Sequence, residues 1–287
     1  MKTGFVGVGK MGRPMAGHLL KAGHPLAACD LAPALVDALV ALGATRAATP
    51  ADAAREAEIV FSSLPDDAAL RKVAAGVLAG ARPGTIFVDT STVSPAVSAE
   101  VAADFAAKRV HYLRVAVSGN NKMAEQAALT VIASGEKAIY EKCRPLLATF
   151  GPQQYYVGEA EQARALKLAI NLMVYATIAG LGEALAIGKR NGLDWGQMID
   201  VMAASAIGSP LLKAKSAALK NRDFAATFDC LQARKDLTLI NGAAGASGVA
   251  APVAAIAARL IEDCIANGSA AEDYAAMIKS VERAAKT

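Results

Sequence analysis

The sequence has few of the residues that mark metal, disulfide-rich and nucleic-acid-binding proteins. Its 287 residues include four cysteines, three histidines and only 5% aromatic residues. The cysteines form no CxxC pair and the histidines lack metal-ligand spacing, which favours reduced, structural thiols and no metal site. The 30 basic residues are interspersed with 26 acidic ones, so the net charge of +4 forms no basic stripe. We therefore expect no nucleic-acid partner.

Long hydrophobic runs and targeting segments are also missing. The longest stretch that is both uncharged and hydrophobic, 168–182, has 15 residues and falls short of the roughly 20 needed to span a bilayer, so we interpret it as a core helix. The first apolar segment is too short for a secretory signal, which favours a cytoplasmic protein without a membrane anchor. Apolar residues are abundant, at 54% of the chain, and predict a globular protein with one large or two ordinary domains.

The first half of the chain alternates between short apolar segments and helical stretches. The segments with the composition of strands are Thr3–Val8, Leu26–Cys29, Glu58–Ser62, Thr85–Asp89, His111–Val115 and Leu129–Ala133. Thr49-Pro50 and Ser94-Pro95 are typical of helix starts, because the hydroxyl caps the helix and proline suits its first position. The alternation predicts an α/β Rossmann-type domain, a doubly wound and mainly parallel sheet, over residues 1–159.

A glycine-rich segment follows the first predicted strand and opens the first helix. Its sequence, G-V-G-K-M-G at 7–12, matches the dinucleotide-binding pattern G-x-G-x-x-G. Gly7 permits a tight turn, Gly9 lets the backbone approach a pyrophosphate, and Gly12 lets helix and strand pack closely. Lys10 and Met11 belong to the same turn, so we expect all five residues to contact the cofactor.

An acidic residue ends the second predicted strand. Asp30 lies 18 residues after Gly12, where a carboxylate can accept hydrogen bonds from both hydroxyls of an adenosine ribose. The same carboxylate would repel a ribose 2′-phosphate, and no arginine occupies the next three positions. The sequence therefore favours NAD over NADP, with NADP still possible.

The second half reads as helices, and residues 160–287 are predicted to form an all-α domain. A helix of unusual length is expected over 160–191, where Asn191-Gly192 is typical of a helix end. Further helices are predicted over 194–204, 209–220, 229–245, 252–267 and 271–285. A helix that long commonly links domains or forms a subunit interface; together with the family resemblance described below, it favours a homodimer or homotetramer.

Two polar residues stand inside the apolar part of the long helix. Lys167 and Asn171 are four residues apart, so their side chains share one helical face. The lysine either extends its ammonium to solvent or lies near a cleft, where partial desolvation lowers a lysine's pKa and suits proton transfer. The second alternative would make Lys167 a general acid and base.

Six motifs in order resemble those of the β-hydroxyacid dehydrogenase family, which is related to 6-phosphogluconate dehydrogenase. They are the 7–12 loop, Leu64-Pro65, Asp89-Thr90-Ser91-Thr92, Val117-Ser118-Gly119, Lys167 with Asn171, and Lys235-Asp236-Leu237. The resemblance covers essentially the whole chain. It implies a Rossmann domain, a long interdomain helix and a helical domain that completes the active site, with a substrate such as 3-hydroxyisobutyrate or a small semialdehyde.

The resemblance also implies a role for each matched residue. By position, Lys167 is similar to the catalytic lysine and Asn171 to its polar partner at the substrate. Ser118 and Gly119 resemble the anchor of a substrate carboxylate. The positions that resemble the cofactor lining are Leu64, Pro65, Thr92 and Lys235.

The chain departs from the family pattern around the expected substrate pocket. Arg114 stands where the family usually has an acidic residue, Asn120 and Glu161 replace glycines, and Ile170 replaces the first of two asparagines. These changes fit neutral drift with compensation, a different substrate, or loss of catalysis. Asn120 could bind a longer or more polar substrate, and Arg114 could bind a second carboxylate or pair with a neighbouring acid on the surface.

Four functions compete on the sequence alone. The first is an NAD-preferring oxidoreductase that interconverts a small, carboxylate-bearing β-hydroxyacid and its semialdehyde or oxo acid. The second is an NADPH-dependent reductase of the glyoxylate or succinic semialdehyde type, against which Asp30 argues. The third is an imine reductase, a related class that typically lacks the lysine retained here as Lys167. The fourth is a dinucleotide-binding protein without turnover.

Overall fold

A computed structural model describes residues 1–286, and the chain divides into two compact units, Met1–Lys167 and Leu168–Thr287. The strands, all in the first unit, are β1 (Thr3–Val6), β2 (Leu26–Cys29), β3 (Thr45–Arg46), β4 (Ile59–Ser62), β5 (Ile86–Asp89), β6 (His111–Ser118), β7 (Thr130–Ser134) and β8 (Gln153–Tyr156). Its helices are α1 (Gly12–Lys21), α2 (Pro33–Val40), α3 (Pro50–Ala54), α4 (Asp67–Gly80), α5 (Pro95–Ala107), α6 (Asn121–Glu125) and α7 (Lys137–Leu147).

The strands form one mainly parallel sheet in the order β3-β2-β1-β4-β5-β6-β7-β8. Every neighbouring pair is parallel except β6 and β7, which are antiparallel. The order reverses at β1, so the carboxyl ends of β1 and β4 flank a topological switch point, where open α/β sheets bind ligands. The predicted Rossmann-type sheet is confirmed.

The strand limits differ from the prediction at several places. β2 has the predicted bounds, whereas β1 ends two residues early at Val6 and β6 continues to Ser118. The prediction missed β3 and β8. β3 has only two residues, both exposed, and the polar Gln153–Tyr156 segment alternates between exposed and half-buried positions at the sheet edge. Neither has the continuous apolar pattern of a strand buried on both faces.

Alternating side chains of the strands enter two different cores. Phe5 and Phe61 point to the face covered by α1, α2 and α7, where their rings stack with centroids 5.9 Å apart. Val6 and Phe87 point to the other face, and Phe87 stacks on Phe105 of α5 at 4.9 Å. Because both faces are apolar, the sheet is buried between two helical layers. Each fully buried phenylalanine contributes about 1.5–3 kcal/mol of transfer free energy.

The predicted helix starts are confirmed in their atomic detail. Thr49 Oγ1 accepts the backbone N–H of Asp52 at 3.1 Å, and Ser94 Oγ accepts that of Val97 at 3.2 Å. In each case the next residue is proline at the first helical position. These caps satisfy N–H groups that a helix start leaves without intrahelical partners.

The second unit is helical. Its elements are α8 (Gln162–Arg190), which begins in the first unit, then α9 (Trp195–Ala204), α10 (Pro210–Lys220), α11 (Cys230–Ala246), α12 (Pro252–Ala266), a 3₁₀ turn (Tyr274–Ala276) and α13 (Met277–Ala285). The single helix predicted over 271–285 is therefore shorter and starts with a 3₁₀ turn. All four cysteines are free and buried, as predicted for structural thiols.

α8 has 29 residues and ends just before Gly192, whose φ of +78° suits a helix stop. By length and composition α8 could cross a membrane, a property that it shares with core helices of soluble proteins. Its buried residues Tyr175, Ile178 and Leu185 belong to the apolar core of the second unit. This position agrees with the predicted core helix.

Candidate active site

The glycine-rich loop joins β1 to α1, and glycine is required for a different steric reason at each of its three positions. Gly7 has φ +86°, and a Cβ there would lie 2.4 Å from the carbonyl oxygen of Ser63. A Cβ on Gly12 would lie 1.9 Å from the carbonyl oxygen of Gly7, so helix and strand are in close contact there. A Cβ on Gly9 would meet no protein atom within 4 Å. Glycine at position 9 thus keeps the backbone open to something outside the chain, which fits the close approach of a pyrophosphate.

Asp30 follows β2, and its carboxylate is held partly by a hydrogen bond from the glycine-rich loop. Its Oδ2 accepts the backbone N–H of Val8 at 2.8 Å, and its Oδ1 accepts that of Ala32 at 2.9 Å. A carboxylate has about four acceptor positions, so two remain for the hydroxyls of a ribose. The backbone bonds fix the direction of the carboxylate. The residues present therefore fit an adenosine ribose without a 2′-phosphate.

Lys10 and Met11 occupy the turn before α1. Lys10 is exposed, and the Met11 side chain packs against the core of the first unit. Within residues 1–286 no group of three or more His, Cys, Asp or Glu side chains is placed to hold a metal ion.

Two further turns lie at the carboxyl ends of β4 and β5. Leu64 donates its backbone N–H to Ser91 Oγ at 2.8 Å, and Thr90 Oγ1 donates to the carbonyl of Ser62 at 2.7 Å. These bonds join the turn with Leu64 and Pro65 to the turn with Thr92. Since β1, β2, β4 and β5 are parallel, all predicted cofactor positions of the first unit lie at one edge of its sheet.

The predicted carboxylate anchor lies at the end of β6, at this same edge. Ser118 is the last residue of β6, and Gly119 has φ +145°, which strongly favours glycine. A Cβ on Gly119 would lie 2.7 Å from Leu129 Cδ2. Asn120 accepts the N–H of Met123 at 3.0 Å through Oδ1, and so caps α6. This capping explains an asparagine at position 120 without a substrate, while its NH₂ group could still donate a hydrogen bond.

Two departures from the family pattern form one ion pair. Arg114 Nε lies 2.7 Å and its Nη2 lies 2.6 Å from Glu161 Oε1. The Arg114 and Glu161 side chains are only 11% and 18% exposed, so this is not the surface pair that the sequence suggested. The guanidinium also lies over the ring of Tyr112, 4.8 Å from its centroid. The charges that the two departures introduce are therefore paired with each other.

The start of α8 carries a second, more deeply buried pair that sequence reasoning missed. Arg164 is three residues before Lys167, and its Nη2 lies 2.5 Å from Asp89 Oδ2 at the end of β5. The hydroxyl oxygen of Tyr112 accepts a hydrogen bond from the same guanidinium nitrogen at 3.0 Å. Burial would lower the pKa of Arg164, but Tyr112 and Asp89 raise it, and the net shift is upward. An arginine just before the apolar run of α8 was the available signal.

In the second unit, the carboxylate of Asp236 is contacted by three polar side chains, one of which is Asn171. Asn171 Nδ2 donates to Asp236 Oδ2 at 2.7 Å, and the hydroxyl of Tyr175 donates to the same oxygen at 3.1 Å. Lys235 Nζ lies 2.8 Å from Asp236 Oδ1. Burial, followed by the negative charge of Asp236, raises the pKa of Tyr175 well above its usual value. Since a carboxylate only accepts, the Asn171 amide nitrogen faces Asp236 and its oxygen faces away.

The structure thus places the predicted residues in two sets. The loop residues, Asp30, the 64–65 turn, Thr92 and the 118–120 segment share one sheet edge of the first unit. Lys167 is the last residue of that unit and lies on α8, one helical turn before Asn171. Asn171 and Lys235 meet through Asp236, whose role the sequence did not reveal.

Comparisons with known proteins match both halves of the chain. Residues 2–158 match the family model described as the NAD binding domain of 6-phosphogluconate dehydrogenase. Residues 162–281 match the family model described as NAD-binding of NADP-dependent 3-hydroxyisobutyrate dehydrogenase.

Individual relatives match over nearly their full length. The chain is 36% identical to 2-(hydroxymethyl)glutarate dehydrogenase of Eubacterium barkeri, covering 99% of this chain and 95% of the relative. It is 31% identical to the NAD-dependent L-serine dehydrogenase of Pseudomonas aeruginosa, covering 96% of each. Among solved structures, Mycobacterium tuberculosis 3-hydroxyisobutyrate dehydrogenase with L-serine has a TM-score of 0.89 at 28% identity, over 98% of both chains.

Proposed function

Because this chain belongs to the β-hydroxyacid dehydrogenase family, we propose that it interconverts a small β-hydroxyacid and the matching semialdehyde or oxo acid, with Lys167 as general acid and base. The family membership inferred from six sequence motifs is confirmed, and with it an NAD(P)-binding oxidoreductase. The observation that carries the proposal is Lys167 itself. By motif order it corresponds to the family's lysine, and it lies one turn before Asn171 on a helix whose first turn is anchored to the end of β5.

In the proposed reaction the protein moves the proton and orients the substrate. A bound nicotinamide cofactor supplies the hydride acceptor or donor. The Lys167 amine takes the proton of the substrate hydroxyl during oxidation, and its ammonium returns a proton during reduction. Asn171 holds the same end of the substrate with the amide orientation that Asp236 imposes. Lys235 would lie near the nicotinamide end of the cofactor.

The substrate carboxylate is proposed to bind at the end of β6. The hydroxyl of Ser118 and the backbone N–H groups around Gly119 can donate charge-assisted hydrogen bonds to an anion. Gly119 supports this role, since its φ of +145° is open to glycine but rarely to other residues, and glycine lets the backbone closely approach a ligand. Arg114 is not proposed as a second carboxylate site, because its guanidinium is already paired with Glu161.

The cofactor preference is proposed to be NAD. The Asp30 carboxylate, held by Val8 and Ala32, presents negative charge where NADP carries its 2′-phosphate. A second candidate is an NADPH-dependent semialdehyde reductase. The match to the NADP-dependent 3-hydroxyisobutyrate dehydrogenase model favours it for the second half of the chain.

Three further features belong to the same proposal. We propose residues 1–159 as the dinucleotide-binding domain and 160–287 as the domain for substrate binding and oligomer formation. We also propose a cytoplasmic homodimer or homotetramer. Exposed apolar side chains on the second unit, among them Met173, Ile187 and Val201, support an oligomer.

A panel of small hydroxyacids tests the function. Cofactor reduction is followed by nicotinamide absorbance with NAD and with NADP, using the wild type and Lys167→Ala. We expect turnover of at least one hydroxyacid with higher kcat/KM for NAD, and loss of that rate in the variant. A wild type that binds NAD but turns over no hydroxyacid of the panel with either cofactor would instead support the binding protein without catalysis.

A further inference from the structure

Arg164 is the largest side chain that the first unit buries completely. A buried charge is costly unless every donor is paired, and here the guanidinium is held from several sides. Its Nη1 donates to the carbonyl of Ser91 at 2.6 Å, and its Nη2 donates to Asp89 Oδ2 at 2.5 Å. The Tyr112 hydroxyl lies 3.0 Å from Nη2, and Ser98 Oγ accepts from Nε at 3.3 Å. The side chain is therefore fixed in a single position.

The carboxylate that binds Arg164 also organises the turns that are proposed to line the cofactor. Asp89 Oδ1 accepts from Ser62 Oγ at 2.6 Å and from Ser91 Oγ at 2.5 Å. Ser91 Oγ in turn accepts the backbone N–H of Leu64 at 2.8 Å. A continuous chain of hydrogen bonds therefore runs from Arg164 through Asp89 and Ser91 to Leu64.

Arg164 also fixes the rotation of the first turn of α8. The planar guanidinium has donors in a rigid fork, so pairing them with the end of β5, with Ser98 of α5 and with Tyr112 of β6 leaves the helix little freedom to rotate or slide. The neighbouring Ala163 N–H donates to Ser134 Oγ at 3.1 Å, and Glu161 pairs with Arg114. Lys167 follows Arg164 by three residues, less than one helical turn, so the direction of its side chain depends on this anchor.

We propose that Arg164 is a positioning residue, which holds Lys167 at a fixed place relative to the cofactor-lining turn at Leu64. This inference rests on the proposed function of Lys167. Proton transfer requires hydrogen-bond reach, and a displacement of about 1 Å can lower the rate about 100-fold. Loss of Arg164 should therefore lower kcat more than it changes cofactor binding or KM.

The test compares Arg164→Gln and Arg164→Lys with the wild type in steady-state kinetics and NAD titration. We expect Arg164→Gln to lower kcat by about 10- to 100-fold, while KM and the Kd for NAD change less than about threefold. Arg164→Lys keeps the charge beside Asp89 but lacks the fork, so it should recover part of kcat. A matched control is Arg222→Gln, which removes an ion pair to Glu282 with both contacts at 2.7 Å in the second unit.

The control should lower thermal stability but keep kcat within about twofold. If Arg164→Gln keeps the wild-type kcat, or if Arg222→Gln lowers kcat as much, Arg164 is only structural and the inference is wrong. If neither Arg164 variant folds, Tyr112→Phe decides, because it removes one contact to the guanidinium and keeps the ion pair. A fall in its kcat supports positioning, and an unchanged kcat contradicts it.

Lys167→Ala separates this inference from the function on which it rests. If Lys167→Ala is inactive while Arg164→Gln is fully active, only the positioning role fails. If Lys167→Ala is as active as the wild type, the proposed function itself fails.

Discussion

Substitution of the loop glycines by alanine separates residues required by the fold from the residue required by the cofactor. At Gly9 an added Cβ meets no protein atom within 4 Å, and the backbone is not in the left-handed region. We expect Gly9→Ala to leave the free energy of unfolding unchanged or to raise it by about 0.4–1 kcal/mol, because alanine restricts the unfolded chain.

The same substitution should weaken NAD binding. The new methyl group would occupy the side from which the pyrophosphate approaches, and one charge-assisted hydrogen bond would be lost. Such a bond contributes about 1.5–3 kcal/mol, so the Kd should rise between roughly tenfold and just over a hundredfold. Isothermal titration with NAD measures this change, and urea unfolding measures stability.

Gly12→Ala, in contrast, should lower the free energy of unfolding. Its Cβ would lie 1.9 Å from the carbonyl oxygen of Gly7, a backbone atom that cannot move without shifting β1 or α1. Overpacking of this kind costs about 1–3 kcal/mol, and the gain of about 1 kcal/mol in helix propensity offsets only part. Gly17→Ala is a matched control, since its Cβ within α1 meets nothing within 4 Å. Gly17→Ala should raise the free energy of unfolding by about 1 kcal/mol and keep the NAD affinity of the wild type.

If Gly9→Ala binds NAD as tightly as the wild type does, the pyrophosphate does not approach the backbone at position 9, and the proposed role of this glycine is wrong. A loss of stability in Gly9→Ala equal to that in Gly12→Ala would refute it as well.

Further predictions concern the cofactor, the ion pair of Arg114 and Glu161, and a buried thiol. Asp30→Asn should lower the ratio of kcat/KM for NAD over kcat/KM for NADP at least about tenfold, since it removes the negative charge that opposes a 2′-phosphate. An unchanged ratio would mean that residues other than Asp30 determine the preference for NAD. Arg114→Asp should lower the free energy of unfolding by about 2–3 kcal/mol, because it leaves Glu161 facing a second carboxylate. Adding Glu161→Gly should restore at least about 1 kcal/mol, as measured by urea unfolding. If the effects of the two substitutions on the free energy of unfolding simply add, the pairing is contradicted. Burial raises the pKa of Cys143 from 9.0 to about 12, so the folded thiol keeps its proton while the unfolded one loses it. Unfolding free energy should therefore fall by about 1.4 kcal/mol between about pH 8 and 10, and Cys143→Ala should lose less over this interval.

The sequence predicted those parts of the fold whose signal is local. β2 and the capped starts of α3 and α5 follow from apolar composition and from Thr-Pro or Ser-Pro pairs, which act within a few residues. β3 and β8 were missed because short edge strands are defined by their partners rather than by their own composition. The antiparallel direction of β7 likewise depends on where the chain returns after α6.

The site was predictable where a motif is contiguous and not where distant residues combine. The 7–12 loop and Asp30 could be interpreted together because their roles follow from strand ends. Arg164 and Asp89 are 75 positions apart, and Asn171 and Asp236 are 65 apart, so nothing in the sequence alone pairs them. Arg114 and Glu161 were both recognised as departures, yet only the structure shows that they form an ion pair.

The central claim is that Lys167 carries the proton, and chemical rescue tests it most directly. The rate of Lys167→Ala is measured with NAD and the best hydroxyacid, with and without a small primary amine. We expect a loss of about 10²–10⁴-fold in kcat, with partial recovery that rises with amine concentration. A Lys167→Ala enzyme whose kcat stays within about twofold of the wild type would contradict the account.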